Sequence, residues 1–207
     1  MAGIRETKKK QTRRAIIEAA VKLFSKNGYE QTSVDQLARE AGIGKGTIYG
    51  YFKTKDEIFF AFCEDEIDYA FQELTRLNDL QAPLPDQLHT LFMGQFRYVT
   101  RDREFGRILA REMLFPRQAN IEKSRELEEK YLASLNLILG RAFANGELRT
   151  DLEPYFIAGH FYALYILVLS SWYDGRLPTM EAIDEALLKL LTHALQGLAP
   201  RGLHNRT

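Results

Sequence analysis

Two short helices joined by a glycine turn are encoded between residues 33 and 55, and this segment strongly constrains the fold. In its first half the apolar residues recur three and four positions apart, which is the period of an amphipathic helix with one buried face. Gly42 follows, where a helix commonly ends because glycine enters the left-handed conformation without steric cost. Beyond the turn, Ile43 and Ile48 provide apolar anchors for a second helix. The pattern predicts a helix-turn-helix, whose first buried face consists of Val34, Leu37, Ala38 and Ala41.

Residues 42–47 also partly match a phosphate-binding loop, because glycines alternate there with other residues. The Gly-Lys-Ser/Thr ending of such a loop is absent, and the preceding segment is predicted to be a helix rather than a strand. A second alternative is a helical corner with exposed tyrosines and no function. The distribution of charge argues against that alternative.

The charge of the chain is balanced overall but divided unevenly along it. The 207 residues include 28 Lys/Arg and 28 Asp/Glu, which gives a formal net charge of zero. Residues 1–55 hold 12 of the basic and 5 of the acidic residues, a net charge of +7, and residues 56–207 carry the compensating −7. A localised positive region is the electrostatic footprint of a nucleic-acid-binding protein, because Lys and Arg neutralise phosphates. We therefore expect double-stranded DNA to bind the first region and not the acidic remainder.

Cysteine usage and hydropathy indicate a cytoplasmic protein with no membrane partner. Cys63 is the single cysteine, which leaves no intramolecular disulfide and no cysteine pair for a structural zinc site. A small buried side chain is favoured for it over a redox sensor. The basic N-terminal run is not followed by an apolar signal-peptide segment. The most apolar window, residues 156–169, is 14 residues long and shorter than the ~20 residues that cross a bilayer, so it is predicted to be a buried helix.

Periodicity and breaker residues predict an all-α fold of about nine helices, with no strand alternation and no repeat. Residues 1–10 are polar and basic and are interpreted as a mobile arm. Ser33 is a predicted N-cap with Gln36 at the capping-box position, and Thr54 is a second predicted N-cap. The first helix is predicted to end at Asn27 and the fourth near Leu77, and the fifth to ninth are predicted at residues 86–100, 102–114, 120–144, 154–173 and 179–198.

About the first 60 residues resemble the TetR family of bacterial transcriptional regulators. The elements that carry the resemblance are residues 19–24, Gly28-Tyr29, Thr32-Ser33, Leu37-Ala38, and residues 41–43, 45–49, 51–52 and 53–57. Beyond Ala70 only the number of helices is similar. The resemblance implies a homodimer whose two helix-turn-helix units enter successive major grooves of a palindromic operator, normally to block transcription until a small molecule releases the protein. It also implies that residues 1–55 form the DNA-binding domain and residues 56–207 the regulatory and dimerisation domain.

The same resemblance implies roles for individual residues. Ser33 and Lys55 match phosphate contacts, Ile48 and Phe52 match core positions, and Lys45 is expected at phosphate rather than guanine. All positions that match DNA contacts of the family are Ser33, Lys45, Gly46, Thr47, Tyr49, Tyr51 and Lys55.

Three residues depart from the family pattern. Gly44 stands where serine is usual, so the recognition helix lacks a side-chain cap. Gly50 and Tyr51 stand where a larger residue and a histidine are common. A glycine inside a helix costs about 1 kcal/mol relative to alanine and offers no base contact, so the operator sequence cannot be taken from relatives.

The acidic region is rich in aromatic and aliphatic residues, and in the family this region encloses an inducer pocket. Simple packing stays the alternative for every apolar candidate. Glu112 would be costly if it were buried alone, so we expect it to pair with an arginine such as Arg107, Arg111 or Arg141. His160 is expected to be a satisfied core or interface histidine rather than a metal ligand. The candidate ligand contacts are Phe62, Phe96, Leu109, Glu112, Met113, Tyr131, His160 and Tyr165.

The last two helices are predicted to form the dimer interface, because they carry more apolar residues than one helix pair can hide. These residues are Phe161, Leu164, Tyr165, Val168, Ile183, Leu187, Leu190 and Leu191. No cofactor, metal or enzymatic activity is expected, since the histidines lack metal spacing and no nucleophile and base are paired. Two functions stay open: a repressor released by a small apolar or aromatic inducer, and a DNA-binding organiser of the same fold that needs no inducer.

Overall fold

Nine α-helices make up the part of the chain that the structure, a computed structural model, describes, which is residues 2–76 and 81–197. No strand occurs within these ranges, so the all-α prediction is confirmed. A 3₁₀ turn at Gln118–Asn120 precedes α7. The helices are α1 Ala2–Asn27, α2 Val34–Glu40, α3 Lys45–Tyr49, α4 Lys55–Arg76, α5 Leu84–Thr100, α6 Arg103–Leu114, α7 Ile121–Ala144, α8 Pro154–Tyr173 and α9 Met180–Gln196.

Side-chain caps fix the starts of the helices around the predicted helix-turn-helix. The Ser33 hydroxyl accepts a hydrogen bond from the Gln36 backbone N–H at 3.2 Å, and the Gln36 side chain accepts one from the Ser33 N–H at 2.7 Å. This reciprocal pair is the predicted capping box of α2. Thr54 accepts from the Glu57 N–H at 3.2 Å, as predicted for α4. Gly42, with φ of +67°, ends the turn after α2 in the left-handed conformation.

The predicted N-terminal arm is wrong, because α1 already begins at Ala2. The basic stretch was interpreted as unstructured on its charge alone. Its Lys, Arg and Glu residues are good helix formers, and the Glu6 carboxylate lies 3.9 Å from the Lys10 ammonium one helical turn later.

The second helix of the helix-turn-helix, α3, has five residues. Gly50 does not lie inside α3 but is its C-cap, with an ordinary right-handed φ of −71°. The expected cost of a glycine inside this helix therefore does not arise. α5 begins at Leu84 rather than at Asp86, because Pro85 is tolerated in a first turn, where the backbone N–H has no partner within the helix. The predicted ends at Leu77 and Leu198 lie outside the described residues.

Packing divides the chain into two compact units. The first consists of Met1–Asp68 and Arg97–Glu129, and the second of Tyr69–Phe96 and Lys130–Thr207. The first unit therefore contains the helix-turn-helix together with α6 and the start of α7. The functional division at residues 55 and 56 stays a prediction.

Each unit has an aromatic core. In the first, the Phe105 ring lies 4.6 Å from Phe62 and 6.2 Å from Phe24, measured between centroids. In the second, rings from different helices pair directly, and these pairs are Phe92 with Tyr165, Phe96 with Trp172 and Tyr131 with Tyr162.

α8 is long and apolar enough to cross a membrane by length and composition, with a mean hydropathy of 1.3. One such helix is weak evidence for a membrane span, because core helices of water-soluble proteins share these properties. One face of α8 packs inside the second unit through Ile157, Phe161, Tyr165 and Val168, so the predicted buried helix is correct for that face.

Candidate DNA-binding surface and regulatory residues

α3 presents polar tips above a buried anchor. Ile48 is 1% exposed and Phe52, just after the helix, is 6% exposed, so both are core residues as the resemblance implied. Lys45, Gly46, Thr47 and Tyr49 are exposed, and Tyr51 is half-buried. Gly44 provides no side-chain cap, as expected, and its carbonyl accepts from the Thr47 N–H at 2.9 Å. The exposed side chains of α3 are therefore free to meet another surface.

Lys45 is not isolated on this surface. Its ammonium lies 2.9 Å from the Asp35 carboxylate in α2, and both side chains are exposed. Such exposed pairs contribute little stability and exchange readily. A phosphate can therefore replace Asp35 as the partner of Lys45.

Lys55 binds the backbone that precedes α2. Its ammonium donates to the carbonyl oxygens of Tyr29 at 2.9 Å and Glu30 at 3.2 Å. It also lies 4.8 Å from the centroid of the Tyr29 ring. Lysine has three N–H donors, so one remains for a phosphate. The implied phosphate contact and a local structural role are thus compatible at Lys55.

A half-buried hydrogen-bond network joins Tyr29 to the start of α4 and to the turn before α7. The Tyr29 hydroxyl donates to Asp56 at 2.5 Å, and the Asn120 side-chain amide donates to the same carboxylate oxygen at 2.9 Å. Burial raises the pKa of Tyr29 far above its ordinary value, and the bond to Asp56 raises it further. Burial works to raise the pKa of Asp56, but the bonds from Tyr29 and Asn120 and the nearby Arg117 and Lys123 lower it overall. The network therefore holds a carboxylate and a neutral phenol together.

Arg117, just before that turn, is a residue that sequence reasoning missed. Its guanidinium pairs with Glu30, donates to Glu112 at 3.1 Å and lies 4.6 Å from the centroid of the Tyr29 ring. Two of these partners, Tyr29 and Glu30, lie far away in sequence, so no local pattern identifies the set.

The eight candidate ligand contacts do not come together in one unit. Phe62, Leu109, Glu112 and Met113 belong to the first unit, whereas Phe96, Tyr131, His160 and Tyr165 belong to the second. Phe62, Leu109, Phe96, Tyr131 and Tyr165 are buried. The Tyr131 hydroxyl donates to Gln95 at 3.3 Å. Packing therefore accounts for the buried aromatic candidates without a ligand.

The two ligand candidates with ionisable side chains, Glu112 and His160, differ in their surroundings. Glu112 pairs with Arg111 at 2.9 Å and with Arg117 at 3.1 Å, which confirms that it is paired. His160 is exposed on α8, so it is not a core histidine, and the interface half of the expectation stays a prediction.

Glu66 is a second residue that sequence reasoning missed. It is 6% exposed, and no hydrogen bond or ion pair links it to another residue in the described ranges. Burial raises its pKa from 4.5 to about 8. The helical spacing could have predicted its burial. Glu66 lies one turn after Phe62 and one turn before Ala70, and both are core residues.

Two clefts lie on the surface of the described residues. One of about 680 Å³ lies between α1 and the α5–α6 connection, and one of about 490 Å³ lies beside Gln87 and Glu147. Neither of these two is lined by a candidate ligand contact. Within residues 2–76 and 81–197 no group of three His, Cys, Asp or Glu side chains has the arrangement of a metal site.

The predicted interface residues of α8 and α9 are largely wrong, because most are packed within their own chain. Leu164 and Leu190 are half-buried. At most 3% of the surface is exposed for Phe161, Tyr165, Val168, Ile183, Leu187 and Leu191. The apolar surface of these helices that faces outward lies elsewhere, with Phe156 66%, Leu167 44% and Leu188 40% exposed.

Comparison with known proteins agrees with this geometry. Residues 16–62 match the sequence model of the family described as bacterial regulatory proteins, tetR family. The chain is 25% identical to the fatty acid metabolism regulator protein of Bacillus subtilis, over 92% of this chain and 95% of the relative.

Solved structures of similar fold include two regulators bound to acyl-coenzyme A. The transcriptional regulator FadR of Bacillus subtilis, in complex with stearoyl-CoA, has a TM-score of 0.75 and 22% identity, covering 90% of this chain and 99% of that one. The transcriptional repressor FadR of Thermus thermophilus, in complex with lauroyl-CoA, has a TM-score of 0.70 and 21% identity, covering 94% and 99%. At these identities the similarity establishes the fold.

Proposed function

The chain belongs to the TetR family of DNA-binding transcriptional regulators, and we propose that it is a dimeric repressor that a small apolar ligand releases from a palindromic operator. The observation that carries the proposal is α3, in which Lys45, Thr47 and Tyr49 are exposed above the buried Ile48. A short helix held in this way can enter a major groove while its anchor stays in the core. The protein acts in the cytoplasm, on DNA, and not as an enzyme.

The proposed DNA contacts divide into two classes. Thr47, Tyr49 and Tyr51 reach base edges, with Gly46 allowing close approach of the backbone. Ser33, Lys45 and Lys55 contact phosphates, which position the protein without reading sequence.

The proposed dimer uses the outward face of α8 with Leu188 of α9. Phe156, His160, Ala163 and Leu167 follow one another three or four residues apart, so they share one side of α8. All four are exposed in the single chain. The small Ala163 allows close approach of a second copy, and the two-fold axis would bring the same face of each protomer together. This face replaces the inward residues that the sequence suggested.

The proposed ligand class is a fatty acyl thioester. Two regulators of similar fold bind stearoyl-CoA and lauroyl-CoA, and the aromatic candidates of the second unit, Phe96, Tyr131 and Tyr165, would suit an acyl chain. The alternative is an organiser that binds DNA with the same dimer and no ligand.

The DNA-binding part is tested with a duplex selected by the protein from a random-sequence library. We expect a palindrome whose affinity falls steeply with salt, and a loss of about tenfold for Tyr49→Ala. Tyr69→Ala, another exposed tyrosine outside the helix-turn-helix, is the matched control. Binding that is insensitive to salt, or an equal loss in both variants, would contradict the proposal.

The ligand part is tested by thermal shift with lauroyl-CoA and stearoyl-CoA, with free coenzyme A as the control. A compound that raises the melting temperature should also lower the affinity for the selected duplex. If neither acyl thioester both raises the melting temperature and lowers the affinity for the duplex, a wider set of apolar and aromatic compounds is screened in the same way. Failure of that set favours the organiser.

A further inference from the structure

We propose that Arg117, which lies outside the DNA-binding segment, is a positioning residue for DNA binding. Arg117 lies in the connection between α6 and α7, whereas the family match ends at residue 62. The proposal rests on DNA binding by the helix-turn-helix and requires nothing of the ligand.

The first step is the Tyr29 ring, which two cations contact. The Lys55 ammonium is 4.8 Å and the Arg117 guanidinium 4.6 Å from its centroid. Each cation is attracted by the π electrons of the ring, and this attraction is larger where water is excluded. Tyr29 is 5% exposed, so the ring offers a desolvated contact. Arg117 thereby acts on the same side chain as the proposed phosphate ligand Lys55.

The second step is the ion pairs that set the position of Arg117. Its guanidinium binds Glu112 of α6 on one side and Glu30 of the α1–α2 connection on the other. A planar guanidinium presents its donors in a fixed fork, so two carboxylates define its orientation. Arg117 therefore joins α6 to the segment that leads into α2.

The third step is that these contacts end close to the start of α2. Glu30 lies three residues before Ser33, the N-cap of α2, and the carbonyls of Tyr29 and Glu30 both bind Lys55. The α1–α2 connection is also held through Asp56, which accepts hydrogen bonds from both Tyr29 and Asn120. Without Arg117, the α1–α2 connection would sample more conformations, and DNA binding would have to order it.

The test compares Arg117→Met with Arg111→Met on the library-selected duplex. Arg111 also binds Glu112, and its side chain is 65% exposed. It therefore controls for the loss of an arginine at Glu112. We expect Arg117→Met to weaken binding about tenfold and Arg111→Met to change it less than twofold. The slope of log affinity against log salt should be the same in both variants and the wild type, because Arg117 touches no phosphate.

Several results would overturn the proposal. Wild-type affinity in Arg117→Met contradicts it directly, and a slope reduced by about one assigns Arg117 to a phosphate instead. Should Arg117→Met fail to fold, Arg117→Lys decides: it keeps the charge but not the planar fork, so positioning predicts weaker binding at an unchanged slope. Wild-type affinity of that variant contradicts positioning. If the wild-type protein selects no duplex, the proposed function fails first, which is distinct from failure of this inference alone.

Discussion

Both compact units have aromatic cores, but polar side chains also cross-link the first around its helix-turn-helix. In the first, polar side chains join segments that are far apart in the chain. Arg13 binds Asp65 at 2.8 Å, Ser25 donates to Asp102 at 2.7 Å, and Asp56 collects bonds from Tyr29 and Asn120. In the second, α5, α7 and α8 meet through rings, with centroids 5.2 to 5.7 Å apart in the pairs Phe92 with Tyr165, Phe96 with Trp172 and Tyr131 with Tyr162.

This difference matters because the two contacts restrict motion differently. Hydrogen bonds and ion pairs weaken steeply when their geometry changes, so they fix the orientation of the elements that they join. Ring contacts are less directional and tolerate rearrangement at similar energy. The first unit is suited to presenting α3 at a fixed angle, and the second to adjusting its interior around an apolar molecule. Substitutions should therefore affect orientation and DNA affinity in the first unit, but mainly stability in the second.

The largest expected effect is the loss of a ring from the second unit. Phe92 is fully buried against Tyr165, so Phe92→Ala should lower the free energy of unfolding by about 3–5 kcal/mol, from lost transfer energy and the cavity left behind. Urea unfolding at one fixed protein concentration measures it. The same substitution at Phe115, which is 77% exposed, is the control and should cost little. A loss below about 1 kcal/mol at Phe92 would mean that the ring contacts do not stabilise this unit.

Glu66 is the exception in the first unit, since it is a buried polar side chain without a described partner. Its pKa is raised from 4.5 to about 8, so the folded chain holds a proton that the unfolded chain releases. Stability therefore falls as pH rises between these two values, and the loss is complete above the higher one. Glu66→Gln removes this penalty and should be more stable than the wild type by about 4–5 kcal/mol near pH 8.5, and by much less near pH 5.

Unfolding by urea at the two pH values checks this prediction, with the exposed Glu64→Gln as the control. A gain for Glu66→Gln that is equal at both pH values would show that the carboxyl is not protonated in the folded chain. Only the pH dependence of the gain bears on the proton, because a general packing change would stabilise the variant at all pH values.

The sequence predicted helices well where a local signal marks their ends. α8 was predicted with both ends correct, because Pro154 suits a first turn and Asp174 precedes a glycine with φ of +80°. α1 was missed at its start, since charge alone does not distinguish an arm from an exposed helix. The faces of α8 were assigned the wrong way round, because both are apolar and periodicity cannot tell which one meets its own chain.

The candidate site was predictable only in part, for the same reason. The exposed tips and buried anchor of α3 follow from spacing within one helix. Arg117 does not, because Glu30 and Glu112 lie in separate segments and only the tertiary fold brings them together. Glu112 was expected to need a partner and the fold supplies two arginines, whereas Glu66 has no partner within residues 2–76 and 81–197.

A smaller effect is expected from the Tyr29 hydroxyl. Tyr29→Phe keeps the ring that Lys55 and Arg117 contact but removes one of the bonds to Asp56, which should cost about 1–2 kcal/mol. Since that bond helps to lower the pKa of Asp56, the variant should also unfold at a higher pH during acid titration. The stability that the ionised Asp56 contributes is present at neutral pH and lost as pH falls through its folded pKa, and this loss would begin earlier.

Circular dichroism during acid titration measures the shift, with Tyr155→Phe, an exposed tyrosine of the second unit, as the control. An unchanged acid midpoint would mean that Asn120 and Arg117 hold the Asp56 carboxylate without the phenol. DNA affinity should fall as well, because the polar contacts of this unit orient the α1–α2 connection.

The smallest effect provides a direct comparison of the units, since each has an N-cap of the same chemistry. Ser33 accepts from the Gln36 N–H at the start of α2, and Thr179 accepts from the Ala182 N–H at the start of α9, both at 3.2 Å. Ser33→Ala and Thr179→Ala should each lower the free energy of unfolding by about 1 kcal/mol. Only Ser33→Ala should weaken binding to the selected duplex, because α2 supports α3 and its N-cap hydroxyl is a proposed phosphate contact. Equal loss of DNA affinity in both variants would mean that affinity follows global stability rather than the orientation of the first unit.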